Sequence, residues 1–426
     1  MSVLPTLSPP QLQVATWAIA ALATDGVIVR PFRLPEAVWA VLGAVVLVVG
    51  GLLPAASAAH AVGEGSDVYL FLIGMMLLSE TARREGLFDW VAAVAVNHAK
   101  RSPRRLFALI YGVGIVVTTF LSNDAAAVVL TPAVYAATRQ AKVEPLPYLF
   151  ICAFIANAAS FVLPISNPAN LVLYGDHTPA LGRWLASFAL PSLLSIVATY
   201  VALRWTEGRR LEAECADGVD VPRLSRGART ASIGLVLTAV VLLVVSALDR
   251  PLGAPTAVMG AITTAIVLVA SRTSPWATLR GVSWSMLPLV AGLFVLVEAL
   301  KATGLVRLLG DALTRAVSAS PDTAAWSAGA ILAVVCNAMN NLPAGLIASA
   351  TIREAHPPQV VVDALLIGVD LGPNLSVTGS LATILWLNAI RREGQDIGFW
   401  RFLRLGVFVM VPALVLALAA RLLVGH

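Results

Sequence analysis

The chain has 426 residues, of which 58% are apolar and only 12% charged, and its mean hydropathy is +0.84. A water-soluble domain carries about a quarter charged residues, so this composition excludes an ordinary soluble enzyme, a disordered chain and a secreted disulfide scaffold. The net charge of +5 is no nucleic-acid signature, because the 29 Lys and Arg punctuate apolar runs and form no single basic face. Three cysteines, Cys152, Cys215 and Cys336, are too few for a framework. The chain reads as an all-α polytopic membrane protein whose main surroundings are lipid.

A helix needs about 20 apolar residues to cross the hydrocarbon core. Runs of that kind are predicted at 11–29, 35–53, 67–82, 184–203, 231–248, 255–271, 285–300 and 405–423. No Lys or Arg precedes the first run, so it is not expected to be a cleavable signal. Two longer apolar regions, 146–177 and 360–390, are interrupted by proline and polar residues and are predicted as broken helices. Two more, 104–141 and 322–352, are split midway by Asn clusters and are predicted as re-entrant helical hairpins. About ten crossings result. With both termini outside, 22 of the 29 basic residues fall on inside loops, which the positive-inside rule favours. The expected location is therefore a plasma (inner) membrane with extracytoplasmic termini.

An internal repeat divides the chain. Glu80 and Glu298 lie 218 residues apart, as do Gly86 and Gly304, and Asn123 and Asn341. Further on the offset is 213, laying Asn157–Leu173 over Asp370–Trp386. The predicted units are 1–203, a basic cytoplasmic linker at 204–230, and 231–426. Five crossings per unit, an odd number, predict that the second is inverted relative to the first. Inverted repeats with paired broken elements are a transporter signature, with the site at the repeat interface.

Backbone at membrane depth must satisfy its hydrogen bonds internally, so an unwound stretch there needs a polar cavity. SNPAN (Ser166–Asn170) and GPNLSVTGS (Gly372–Ser380) are such stretches, and Ser122-Asn123-Asp124 and Asn340-Asn341 sit at the hairpin turns. Side chains at these points can cap the helices that follow, which is the ordinary role of any one of them. Four related clusters together point to a site, with Ser122, Asn123, Asn167, Asn170, Asn340, Asn341, Thr378 and Ser380 as its candidate lining. Asp124 is the ionisable member, and its repeat mate is the apolar Leu342. An ionisable group inside a membrane costs about 2.5–3.5 kcal/mol, so Asp124 is the candidate for coupling to a single ion or proton. Asp370, opposite Asn157 and just before the unwound GPN, is the second candidate.

Glu80 and Glu298 are expected to pair with the nearby Arg83, Arg84 or Lys301, whereas Asp363, Asp176 and His177, near span ends, are expected at solvated surfaces. Cys152 and Cys336 lie close to the clusters, where packing is the expected role and soft ligation the alternative. The five His show no metal spacing, and no nucleotide, zinc or nucleophile motif appears, so neither enzyme, cofactor nor metal site is predicted.

FLSNDAAAVVLTPAV (Phe120–Val134), SNPANLVL (Ser166–Leu173), NAMNNLPAGLI (Asn337–Ile347) and DLGPNLSVTGSLATILWL (Asp370–Leu387) resemble the arsenite efflux permease family, ArsB, of the wider ion transporter superfamily. The resemblance covers nearly the whole chain. It implies export of arsenite, and of antimonite, from the cytoplasm, driven by proton exchange or by docking a soluble arsenite-stimulated ATPase. The substrate so implied is a trivalent metalloid hydroxide. In the dicarboxylate branch of the superfamily both hairpin tips read Ser-Asn-Thr, whereas here they read Ser-Asn-Asp and Asn-Asn-Leu. A fixed carboxylate beside a dianion would repel it. The alternative within the superfamily is a sodium/proton antiporter using Asp124 and Asp370; a passive channel fits the repeat less well.

Overall fold

A computed structural model describes residues 9–175, 178–212, 215–216, 220–221 and 223–424. Asp176 and His177 lie outside the described residues. The first half begins with α1 (Pro9–Val29), α2 (Glu36–Val49), α3 (Ala55–Glu64), α4 (Ser66–Arg84) and α5 (Leu87–His98). It continues with α6 (Pro103–Leu121), α7 (Asn123–Ala125), α8 (Thr131–Gln140), α9 (Leu146–Ala158), α10 (Pro168–Tyr174) and α11 (Leu181–Thr206). The second half comprises α12 (Arg226–Ala247), α13 (Gly253–Ser271), α14 (Pro275–Gly281), α15 (Met286–Ala302) and α16 (Leu305–Ala319). It ends with α17 (Pro321–Met339), α18 (Asn341–Ala355), α19 (Gln359–Leu371), α20 (Leu381–Arg392) and α21 (Phe399–Val424). No strand occurs among the described residues.

Among the described residues eight helical segments, with α14 and α15 counted as one, are long and apolar enough to cross a membrane, and α3 with α4, bent by 48°, makes a ninth candidate. The span expected at 35–53 is shorter than its hydropathy suggested. Helix α2 stops at Val49, after 14 residues, where Gly50, Gly51 and then Pro54 interrupt it. Both regions expected to be broken are broken. Pro164 and Pro168 separate α9 from α10 through a 3-10 turn at Pro164–Ser166, and Gly372-Pro373 separates α19 from α20 through another at Gly372–Asn374. The expected linker is narrower than 204–230, since α11 continues through Thr206 and α12 starts at Arg226.

Element bounds recur along the chain. Helices α6 and α17 are both 19 residues, begin 218 residues apart, and are capped by Ser102 and Ser320 accepting from the amides of Arg105 and Thr323. Helices α11 and α21, both 26 residues, are separated by the same 218 and pack on each other. Gly86 and Gly304, at φ +76 and +83, make the same left-handed turn before α5 and α16. Packing is reciprocal too, with α4 against α13 and α2 against α15.

Small residues allow these contacts, as they do between helices in lipid. A Cβ on Gly74 of α4 would lie 2.2 Å from the carbonyl oxygen of Thr256 on α13. On α19, a Cβ on Gly368 would lie 2.3 Å from the carbonyl oxygen of Gly329 on α17. Asp370, two residues further along α19, is fully buried.

One element has no counterpart. Between α7 and α8 the helix widens into a π-helical stretch, Ala126–Leu130, while α18 runs without interruption from Asn341 to Ala355. Pro132 lacks an amide hydrogen and would press on the carbonyl four residues back, which opens the helix. The opened turn begins two residues after Asp124. Such insertions are frequent at functional sites.

Candidate functional site

The clusters found in the sequence meet at one place. Helices α7, α10, α18 and α20 all start there, after Ser122, Asn167, Asn340 and Ser380 respectively. Three of these four cap with their side chains. Asn167 accepts from the Ala169 amide at 3.0 Å, Asn340 from Leu342 at 3.3 Å and Ser380 from Thr383 at 3.1 Å. Ser122 and Asn340 turn the hairpins at φ +117 and +76, a region L-residues rarely adopt, at matching positions of the two halves.

Between the helix starts lies a small cavity of ≈ 10 Å³, about the room needed for one water. Asn123, Asn167, Asn341 and Ser380 supply its polar lining, with Asp124 at its edge and Leu72, Pro168, Met286, Leu342, Leu381 and Ala382 completing the wall. Asn123 Oδ1 is buried without a hydrogen-bond partner. An unpaired buried acceptor facing a polar cavity is a natural place for a hydroxyl donor to bind.

The other predicted residues stand back from the cavity and hold its walls. Asn170 donates to the carbonyls of Ser160, Leu163 and Pro164 at 2.9, 3.3 and 3.3 Å, tying down the unwound stretch before α10. Thr378 donates to the Asn337 carbonyl at 2.9 Å, fixing the stretch before α20 to α17. Asp370 is fully buried and accepts a hydrogen bond from Asn167 Nδ2, while its Oδ2 has no partner. Ser122 lines a larger vestibule described below rather than the cavity itself.

Sequence reasoning missed a second set of polar residues. Asn157 Nδ2 donates to Asn374 Oδ1 at 3.0 Å, Asn374 donates to the Phe154 carbonyl at 3.1 Å, and Ser380 Oγ donates to Asn157 Oδ1 at 3.4 Å. Asn337 accepts from the Ser376 amide and hydroxyl at 3.0 and 2.7 Å. The repeat contained the signal. Asn157 and Ser380 occupy the same places in the offset of 213 as Asp370 and Asn167, and each pair is in contact. One crossing contact carries a carboxylate and its counterpart an amide.

The vestibule, ≈ 540 Å³, opens from Asp124 toward Ser79, Glu80, Arg83, Gly281, Asn388, Arg392 and Glu393. Glu80 is buried in its wall and makes a two-pronged ion pair with Arg83, at 2.7 Å to each oxygen. Glu298 pairs with Lys301 at 2.8 Å. Both pairs follow the spacing read from the sequence.

Asp363 departs from expectation. It is not a solvated span end but fully buried, with Arg421 Nε donating to Oδ2 at 2.6 Å. Tyr174 Oη and Gln359 Nε2 donate to its other oxygen at 2.5 and 2.7 Å. Helix α10 is therefore held against α19 at both ends, through Asn167 to Asp370 and through Tyr174 to Asp363, seven residues apart on each helix.

The cysteines are buried and none lines the cavity; Cys152 and Cys336 donate to the carbonyls of Tyr148 and Val369 at 3.9 and 4.0 Å. Among the described residues no group of three or more His, Cys, Asp or Glu gathers as a metal site.

Known proteins resemble this chain over nearly its full length. An arsenical pump membrane protein of Escherichia coli is 27% identical across 89% of this chain and 92% of its own. One of Yersinia enterocolitica is 27% identical across 82% and 84%. An uncharacterized transporter of Mycobacterium tuberculosis is 27% identical across 84% and 86%. The solved YdaH transporter of Alcanivorax borkumensis, described as having an unusual topology, superposes with a TM-score of 0.61 at 16% identity, over 98% of both chains. Residues 19–372 match the family described as citrate transporter, CitMHS. An all-helical membrane chain with paired broken helices, similar throughout to arsenical pump membrane proteins, belongs to the CitMHS family of secondary transporters.

Proposed function

We propose that this protein exports arsenite from the cytoplasm in exchange for protons. The observation that carries the reading is a cavity lined by three Asn amides and a Ser hydroxyl, with a single carboxylate, Asp124, at its edge. Arsenite at neutral pH is largely an uncharged trihydroxide, and such a molecule needs donors and acceptors in equal measure. Asn amides and Ser hydroxyls offer both. Antimonite, the analogous trihydroxide, fits the same lining. Citrate, which the family's description names, would meet Asp124 as a fixed negative charge. The relatives named as arsenical pumps support the metalloid reading.

Asp124 is the proposed proton carrier, with Asp370 the second candidate and an organiser of Asn167. The two halves are proposed as inverted repeats, 1–203 and 231–426, supported by the recurring bounds of α6 and α17 and of α11 and α21. In the orientation that the basic residues favour, the vestibule with Arg83 and Arg392 faces the cytoplasm. In that orientation the entrance is proposed to open inward, with the buried Tyr174, Asp363 and Arg421 cluster bracing the opposite side. A soluble ATPase, where one assists, would dock on the basic stretch 204–230.

Everted membrane vesicles carrying the protein test the activity. With an imposed proton gradient and no ATP, they are expected to accumulate arsenite, and an uncoupler is expected to collapse the accumulation. Silence toward arsenite together with a sodium-dependent pH change would move the assignment to sodium/proton exchange. Topology has its own test. Single cysteines replacing Ser320 and Arg353, at the two ends of the second hairpin, are both expected to react with an impermeant reagent from outside. Reaction of one end alone from the cytoplasmic face would mean that this segment crosses once, and would overturn the hairpin.

A further inference from the structure

The vestibule and the site cavity share four wall residues: Leu72 of α4, Asp124, Pro168 of α10 and Met286 of α15. Three are apolar and buried, with Leu72 3% and Met286 7% exposed. Different polar groups stand on either side of them. Toward the vestibule stand Glu80, Arg83, Arg392 and Glu393; toward the site stand Asn123, Asn167, Asn341 and Ser380. A vestibule that carries charged groups on an otherwise largely apolar wall thus meets the Asn-lined cavity across a collar of three apolar side chains and one carboxylate.

An ion passing such a constriction sheds hydration that the collar cannot replace, whereas an uncharged solute loses far less. The carboxylate sharpens the discrimination, because in a narrow apolar surround a fixed negative charge acts strongly on an approaching anion. The site cavity is also too small for a cargo larger than a water, so entry requires the collar to part. The gate and the filter are then the same residues.

We propose that Leu72, Pro168 and Met286 form an anion-excluding neck, through which cargo reaches the Asn-lined cavity only in its uncharged form. The neck deepens the arsenite reading and rests on it for the identity of the cargo, a neutral trihydroxide. It assigns the rejection of arsenate and of carboxylates to the entrance, ahead of any contact with the site.

The test uses thiol labelling, which needs no transported cargo. In a full-length protein with Cys152, Cys215 and Cys336 replaced by Ala, one cysteine is placed beyond the neck, Ala382→Cys, or before it, Ser79→Cys. Both positions line their respective cavities. From the vestibule side, the neutral 2-hydroxyethyl and the anionic 2-sulfonatoethyl methanethiosulfonate are compared, each rate taken relative to that at Ser79→Cys. At Ser79→Cys the two are expected to react at similar rates, and at Ala382→Cys the neutral reagent is expected to be at least tenfold faster. Adding Leu72→Ser and Met286→Ser is expected to bring the ratio at Ala382→Cys close to that at Ser79→Cys. Leu72→Ile with Met286→Leu, which keep the neck apolar, are expected to preserve it and to show that the packing tolerates change.

Equal reaction of both reagents at Ala382→Cys in the otherwise unaltered neck would overturn the proposal. So would a ratio that the serine pair leaves unchanged, or no reaction of either reagent through the serine neck. Failure of the arsenite reading shows instead in the vesicle uptake experiment and leaves the labelling ratios standing.

Discussion

Asp124→Asn is expected to abolish uphill arsenite accumulation while leaving the protein folded. The substitution is nearly isosteric and neutral, so it removes proton carriage and little else. Uncoupler-sensitive accumulation in everted vesicles should fall to the level seen without a gradient, a loss on the order of tenfold or more. Downhill exchange of labelled arsenite should persist, because Asn123, Asn167, Asn341 and Ser380 still line the cavity. Asp370→Asn should behave differently. Asp370 does not line the cavity and acts on it through Asn167, so its loss should weaken arsenite affinity while coupling survives. If Asp124→Asn still drove uphill export and Asp370→Asn did not, the two roles would be exchanged.

The second large effect concerns stability. Removing one partner of a buried ion pair strands the other, at a cost of about 3–5 kcal/mol. Asp363→Leu leaves the Arg421 guanidinium, 6% exposed, without its carboxylate, and frees Tyr174 at the end of α10. A clear fall in the thermal transition of the detergent-solubilised protein is expected, with Arg421→Leu similarly damaging. The double replacement, Asp363→Leu with Arg421→Leu, is expected to recover most of the loss, since apolar substitutes for a whole buried pair are often neutral. The repeat offers a precedent: at the offset of 213 the place of Asp363 is taken by Phe150, stacked on Trp386 at 6.0 Å between ring centroids. Single replacements as mild as the double one would mean that the pair is not coupled as its 2.6 Å contact indicates.

Much of the architecture follows from short stretches of sequence. Helix breaks at Pro164, Pro168 and Gly372-Pro373 need only the missing amide of proline and the weak helix propensity of glycine. The caps Asn167, Asn340 and Ser380 are legible for the same reason, because capping is settled within three residues. The repeat survives in the sequence as spacing, and α6 and α17 begin where the offset of 218 places them.

Distant parts of the chain decided the rest. Asn170 and Asn123 are both Asn in polar clusters, yet one holds a loop and the other faces the cavity. Local rules cannot separate them, since the difference depends on what packs opposite. Asp363 looked like a solvated helix end because its partners, Tyr174 and Arg421, are 189 and 58 residues away. A lone charge in an apolar run is read as exposed until its counter-charge is found. Length and hydropathy determined that this chain lives in a membrane, and proline, glycine and capping residues determined where its helices break. Which polar groups bind, which brace and which form the neck was decided only by tertiary packing, because pairing and burial are properties of the space between helices.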